Sequence, residues 1–297
     1  MAAPVLLAAF VAASIVVPAA AAAPPEPAAP PRATLAELVG GFRDRAKLLE
    51  STSGMRLGFQ SLTATFRLPP DGVRYADFVI VRLLFEATRD AGFWNLHWTI
   101  TDREPNSDNI WRQWQAVQKP AFTTPTAAAE CDELSALYAF LARSLGIKGV
   151  GLLWPTSNHT VAAWEIHPAS GPAVRVVVPT TQIFLTEADF FATRKFDPWH
   201  QRSIYEYTRR DVLPAFELSR PLVSFFLGQA ERYGGATDVT LQQLRYLRAS
   251  VFARRLSPGQ AALEALRLSR ALASGYPEDI AALVGFAQEM RTASLNL

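Results

Sequence analysis

Cys131 is the only cysteine in 297 residues. It stands at the front of the segment AAECDELSALYAFLARSLGIKG, and the next histidine in the chain is His159, at the head of NHTVAAWEIH. A thiol at a helix start, with one imidazole downstream, is the arrangement of a nucleophilic cysteine. The attacking species is the thiolate, and an ordinary thiol is mostly protonated at neutral pH. A helix N-terminus and a neighbouring imidazolium each lower its pKa. In such chemistry His159 takes the proton from Cys131 and later gives one to a leaving group. A third group orients the ring and fixes its tautomer. Two features oppose the thiolate. Glu130, Asp132 and Glu133 flank Cys131, and with Thr126 as N-cap the cysteine falls in the second helical turn, where the dipole acts weakly. The competing reading is a small hydrophobe on the core face of a helix.

The elements that must position this pair follow from periodicity. Thr34, with Glu37 three residues on and Leu35, Leu38, Val39 and Phe42 on one face, predicts a capped helix. Residues 57–68 alternate loosely and read as a strand or as irregular. Residues 73–92 predict an amphipathic helix ended by Gly92. The following stretch, 93–126, has little periodicity and carries Trp94, Trp98, Trp111 and Trp114. The cysteine helix runs to Gly146, with Leu134, Tyr138, Leu141 and Leu145 continuing the face of Cys131. Three apolar runs, 148–154, 160–167 and 173–178, separated by turn-forming residues, predict consecutive antiparallel strands. From about residue 187 the chain reads as helices, with Pro258 and Pro277 suited to first turns. The domain reading is a core over 34–207 and an all-helical extension over 208–297.

Composition narrows the function. The net charge is +2 and the Lys and Arg are scattered, so no nucleic-acid partner is expected. Neither HExxH nor CxxC occurs, His97, His167 and His200 lack spaced ligand partners, and no metal or cofactor is expected. Residues 1–23 carry no charged side chain and end in small residues. They read as a signal peptide, giving a periplasmic or secreted protein, or else as an N-terminal membrane anchor. Membrane contact is expected only if that segment stays uncleaved. Residues 24–33 form a Pro/Ala linker. A single cysteine cannot form an internal disulfide, so the thiol is either buried and inert or kept for chemistry.

The order of a helix bearing Cys131, the turn and strand SLGIKGVG, the histidine-led strand HTVAAW and a strand ending Val178-Pro179-Thr180 resembles the transglutaminase-like branch of the papain-like cysteine hydrolase superfamily. The likeness spans roughly residues 73–185. It implies an α+β fold: a transglutaminase-like (papain-like) core with an antiparallel sheet and a nucleophile helix, here followed by the helical extension. It also implies attack of a cysteine on an amide or ester carbonyl to give a thioester, which water or an amine resolves. The activity expected is that of a cysteine protease, amidase or transglutaminase-type acyltransferase on a peptide or protein substrate. Cys131 carries over as nucleophile and His159 as base. The orienting acid does not, because Val178 stands where the family has Asp. Thr180, Thr181 or Gln182 then becomes the candidate orienting group. An oxyanion hole needs a side-chain donor beside a backbone N–H, for which Gln115 and Gln118 are the candidates. Trp98, Trp111 and Trp114 are candidates for a substrate wall or, alternatively, core anchors. Two rival functions remain: a catalytically degenerate binding module on the same fold, and a cell-envelope scaffold in which Cys131 is core.

Overall fold

In the computed structural model, residues 31–101, 106, 108–156, 159–181, 201, 203–204, 216–272 and 275–295 are described. The chain opens with strand β1 (Arg32–Thr34) and helix α1 (Leu35–Leu49). As the sequence predicts, Thr34 caps α1. The Glu37 N–H donates to Thr34 Oγ1 at 3.2 Å and the Thr34 N–H donates to Glu37 Oε2 at 2.7 Å, which satisfies two amides that have no partner inside the helix.

Helix α2 (Ser53–Phe66) follows, where the sequence suggested a strand or irregular chain. Its buried stripe is Gly54, Met55, Gly58 and Leu62. Two of those four residues are glycines, so the helical period carries little hydrophobic signal. Gly54 is required there by packing, since a Cβ would lie 2.0 Å from the Ala236 carbonyl oxygen. Helix α3 (Tyr75–Thr88) is buried over nearly its whole second half.

The tryptophan-rich stretch holds strand β2 (Leu96–Trp98) and helix α4 (Asn109–Ala116). Strand β3 (Ala127–Ala129) pairs in parallel with β2 and leads into helix α5 (Cys131–Ser144). Strands β4 (Val150–Thr156), β5 (His159–Ile166) and β6 (Val174–Val178) form an antiparallel sheet in that order, in line with the three predicted runs. Gly149 joins α5 to this sheet with φ 71°, and a Cβ there would sit 2.3 Å from Glu165 O, so only glycine fits.

Strand β7 (Glu217–Ser219) pairs with β1, and helices α6 (Arg220–Tyr233), α7 (Asp238–Phe252), α8 (Pro258–Ala271) and α9 (Pro277–Leu295) complete the chain. This is an α+β fold with small sheets and a C-terminal helical region. The expected boundary near 207/208 falls within residues 205–215, outside the described residues. On either side of it one hydrophobic core is shared. Trp94 stacks on Phe226 of α6 with ring centroids 4.5 Å apart, and Trp114 lies 4.9 Å from the same ring. Among the described residues no helix is long and apolar enough to cross a membrane. The expected leader and most of the expected linker fall in residues 1–30, outside the described residues.

Strand alternation divides the antiparallel sheet. Leu152, Ala162, Trp164, Val176 and Val178 join the main core with α5, while Leu153, Val161, Ala163 and Val177 form a second cluster with Ile204 against them.

Candidate active site

Cys131 is the first residue of α5. The N-cap is Glu130, in extended conformation, which corrects the expectation that Thr126 caps and leaves the cysteine in the second turn. The Thr126 hydroxyl is committed elsewhere, donating to Trp94 O at 2.6 Å and accepting from Trp114 Nε1 at 3.1 Å. Residues 127–129 then extend as β3. The thiol is thereby placed where the helix dipole is strongest.

The start of α5 is held by polar side chains. Glu130 Oε1 accepts from the backbone N–H and hydroxyl of Thr101, both at 2.6 Å. Glu133 Oε2 accepts from the Glu130 N–H at 2.9 Å and from Asn109 Nδ2 at 3.2 Å. Gln113, on α4, grips Ala128 twice, donating from Nε2 to its carbonyl at 2.8 Å and accepting its N–H at Oε1 at 2.9 Å.

The half-buried sulfur is pulled in opposite directions. Burial pushes the Cys131 thiol pKa up. The backbone N–H of Thr160 and that of Asp132 pull it down, while the carboxylates of Asp132 and Glu130 push it up again, and the net shift is upward. The donors at the helix start therefore do not win over desolvation and the two adjacent carboxylates. Thr160 immediately follows His159, so the imidazole is carried by the residue next to the amide that donates to the thiol. His159 is 2% exposed, and burial lowers its pKa to about 4. Among the described residues the thiol makes no hydrogen bond to the ring. At neutral pH the site holds a neutral thiol and a neutral imidazole, so a thiolate would have to form during attack.

The β5–β6 register relocates the question of the orienting group. Val178, where an acid was expected, pairs with Ala162. That is three residues along the strand from His159, or roughly 10 Å, so a carboxylate at 178 would not have reached the ring. Thr180 faces α5 instead. Its hydroxyl is 2.8 Å from Ser135 Oγ, which also donates to the carbonyls of Cys131 and Thr160. Thr180 is thus occupied in tying α5 to the sheet and is not free to orient His159. Gln182 lies outside the described residues. Thr181, between these two candidates, is 1% exposed with its Oγ1 buried and without a hydrogen-bond partner among the described residues.

The remaining candidates separate by burial. Gln115 and Gln118 are exposed, and Gln118 Nε2 reaches only Gln115 O at 3.5 Å. The glutamine built into the α5 start is Gln113, and its amide is fully engaged. Trp111 and Trp114 are 0% exposed, so they anchor the core, 5.2 Å apart edge to face, and offer no wall to a substrate. Trp98 is only half-buried. It pairs with Ala129, two residues before Cys131, and its backbone N–H donates to Asp90 Oδ1 at 2.7 Å. A polar cleft of ≈ 600 Å³ opens beside the first turn of α5, lined by Thr99, Thr101, Asn109, Arg112, Gln113 and Glu133 among others. Among the described residues no group of His, Cys, Asp and Glu is gathered as metal ligands would be.

No protein-family model, curated protein or solved structure matches this chain.

Proposed function

We propose that this chain is an exported, thiol-dependent acyl-transfer protein with a transglutaminase-like core, acting on peptide or amide carbonyls through Cys131 and His159. One observation carries the reading. Cys131 is the first residue of a helix, half-exposed, with the amide that follows His159 directed at its sulfur. In this reading Sγ attacks the carbonyl carbon as its proton passes to the ring nitrogen of His159. The ring then protonates the departing amine, leaving a thioester on Cys131. Water, or an amine acting as acceptor, cleaves the thioester and regenerates the thiol. Backbone N–H groups at the start of α5 supply donors for the oxyanion.

The electrostatics favour a second reading, a catalytically degenerate binding module using the polar cleft beside α5. Desolvation and the flanking carboxylates hold the thiol neutral, and burial holds the imidazole neutral. Incubation of the folded chain with p-nitrophenyl acetate, followed by intact mass spectrometry, separates the two. Acyl transfer predicts an acetyl adduct on Cys131 that is removed by hydroxylamine, absent in Cys131→Ser and formed about 10²-fold more slowly in His159→Ala. An unmodified native protein, whose thiol is alkylated by iodoacetamide only after unfolding, would leave the binding module as the function.

A further inference from the structure

We propose that the buried hydroxyls of Ser135 and Thr180 position the Cys131 nucleophile, pinning the start of α5 to β5 so that the Thr160 N–H stays on Sγ, a role that rests on the acyl-transfer reading of the site. Ser135 lies one turn on from the cysteine, on the same face of α5. Its Oγ is 2.6 Å from Cys131 O, 3.2 Å from Thr160 O and 2.8 Å from Thr180 Oγ1. Carbonyl oxygens only accept, and a serine hydroxyl has one proton to give. That proton is committed to the two carbonyls, so the Thr180 hydroxyl must donate to Ser135 Oγ. Thr180 is held in turn, because the Asp90 N–H donates to its carbonyl at 2.9 Å. One oxygen atom thus ties the backbone of Cys131 to that of Thr160, and both Ser135 and Thr180 are 0% exposed.

A serine bonded to the carbonyl four residues back adds no stability to a helix by itself. Ser144 makes that bond at the other end of α5, to Phe140 O at 2.9 Å, where its hydroxyl is exposed. Ser135 differs by reaching across to the sheet. Thr160 supplies both the carbonyl that Ser135 holds and the N–H directed at Sγ. Around the sulfur, the Thr160 and Asp132 amides favour the thiolate, while burial and the carboxylates of Asp132 and Glu130 disfavour it. The Asp132 amide belongs to the first turn of α5 and follows Sγ wherever the helix goes. The Thr160 amide comes from another element, so its hold on Sγ depends on the distance between α5 and β5. The two hydroxyls fix that distance. Loss of either one weakens the donor that reaches the sulfur from outside its own helix.

The chain has one cysteine, so the full chain labelled with [13Cβ]cysteine gives one signal, which moves as the thiol ionises and needs no turnover. Ser135→Ala and Thr180→Val each remove a hydroxyl at nearly constant shape, and Thr180→Ser keeps it. Ser135→Ala and Thr180→Val are each expected to raise the Cys131 titration midpoint by about one pH unit, a tenfold smaller thiolate fraction below the midpoint. The double variant should shift it no further than either single one, because the two hydroxyls act through one atom. Thr180→Ser and Ser144→Ala should leave it in place. A midpoint unmoved in both Ser135→Ala and Thr180→Val, whatever their thermal stability, would overturn the positioning role, as would an equal rise in Ser144→Ala. Should Ser135→Ala fail to fold, the comparison of Thr180→Val with Thr180→Ser decides alone. If p-nitrophenyl acetate leaves no adduct on Cys131 while the midpoint moves as expected, the acyl-transfer reading fails and the positioning of the thiol stands.

Discussion

The chemistry available to Cys131 is set by a contest between desolvation and the helix start, and desolvation wins at both members of the pair. For His159 this has a measurable consequence for stability. The ring titrates near 6.5 in the unfolded chain and at about 4 in the folded one, so between those values the unfolded chain binds more protons. Stability is complete above pH 6.5 and falls as the pH drops through that window, by on the order of 3 kcal/mol. Urea midpoints recorded from pH 7 to pH 4 should show this loss, and His159→Asn should flatten it, whatever its effect on stability at pH 7. An unaltered acid limb would mean that other groups carry the pH dependence.

Among the elements, α5 is the one whose placement matters most, and α4 is its support. Gln113 joins them by holding both backbone groups of Ala128, three residues before the thiol. Gln113→Leu leaves those two groups without their partner and is expected to cost about 1–3 kcal/mol. The first turn of α5 should loosen with it. Equilibrium unfolding in urea checks the first effect, and faster alkylation of Cys131 by iodoacetamide under native conditions checks the second. A stability loss without faster alkylation would place the role of Gln113 in α4 alone.

At the scale of the whole molecule, the C-terminal helices are part of the same core as the sheet and α5. Arg248, on α7, is 3% exposed and donates from Nη1 to Gly92 O at 2.7 Å and Asn95 Oδ1 at 2.6 Å, and from Nη2 to Gln229 Oε1 at 3.2 Å. It clamps the turn from which Trp94 and β2 emerge, and β2 aligns β3 and so Cys131. Arg248→Met leaves several buried acceptors unpaired, and we expect a loss of about 3–5 kcal/mol. The drop should appear as a lowered thermal midpoint followed by circular dichroism. The same variant should impair whatever chemistry Cys131 performs, since the clamp lies upstream of the strand that sets its position.

What the sequence determined alone was local. The capping box at Thr34 and Glu37, the three strands from 150 to 178, and the helices opened by Pro258 and Pro277 are all written in neighbouring residues. Propensity, periodicity and caps act over a few positions, which is why they could be read. Helix α2 escaped because glycines needed for close packing against Ala236 erased its stripe, and α4 because three of its eight residues are all that mark its apolar face. Tertiary structure decided the rest. Thr126 was withdrawn from capping by the carbonyl of Trp94, which moved Cys131 to the first residue of α5. The strand register put Ala162, three residues on from His159, opposite Val178. Burial moved both pKa values away from those of a ready ion pair. Each outcome depends on groups brought together from tens of residues apart, and a one-residue shift in any pairing would have changed it.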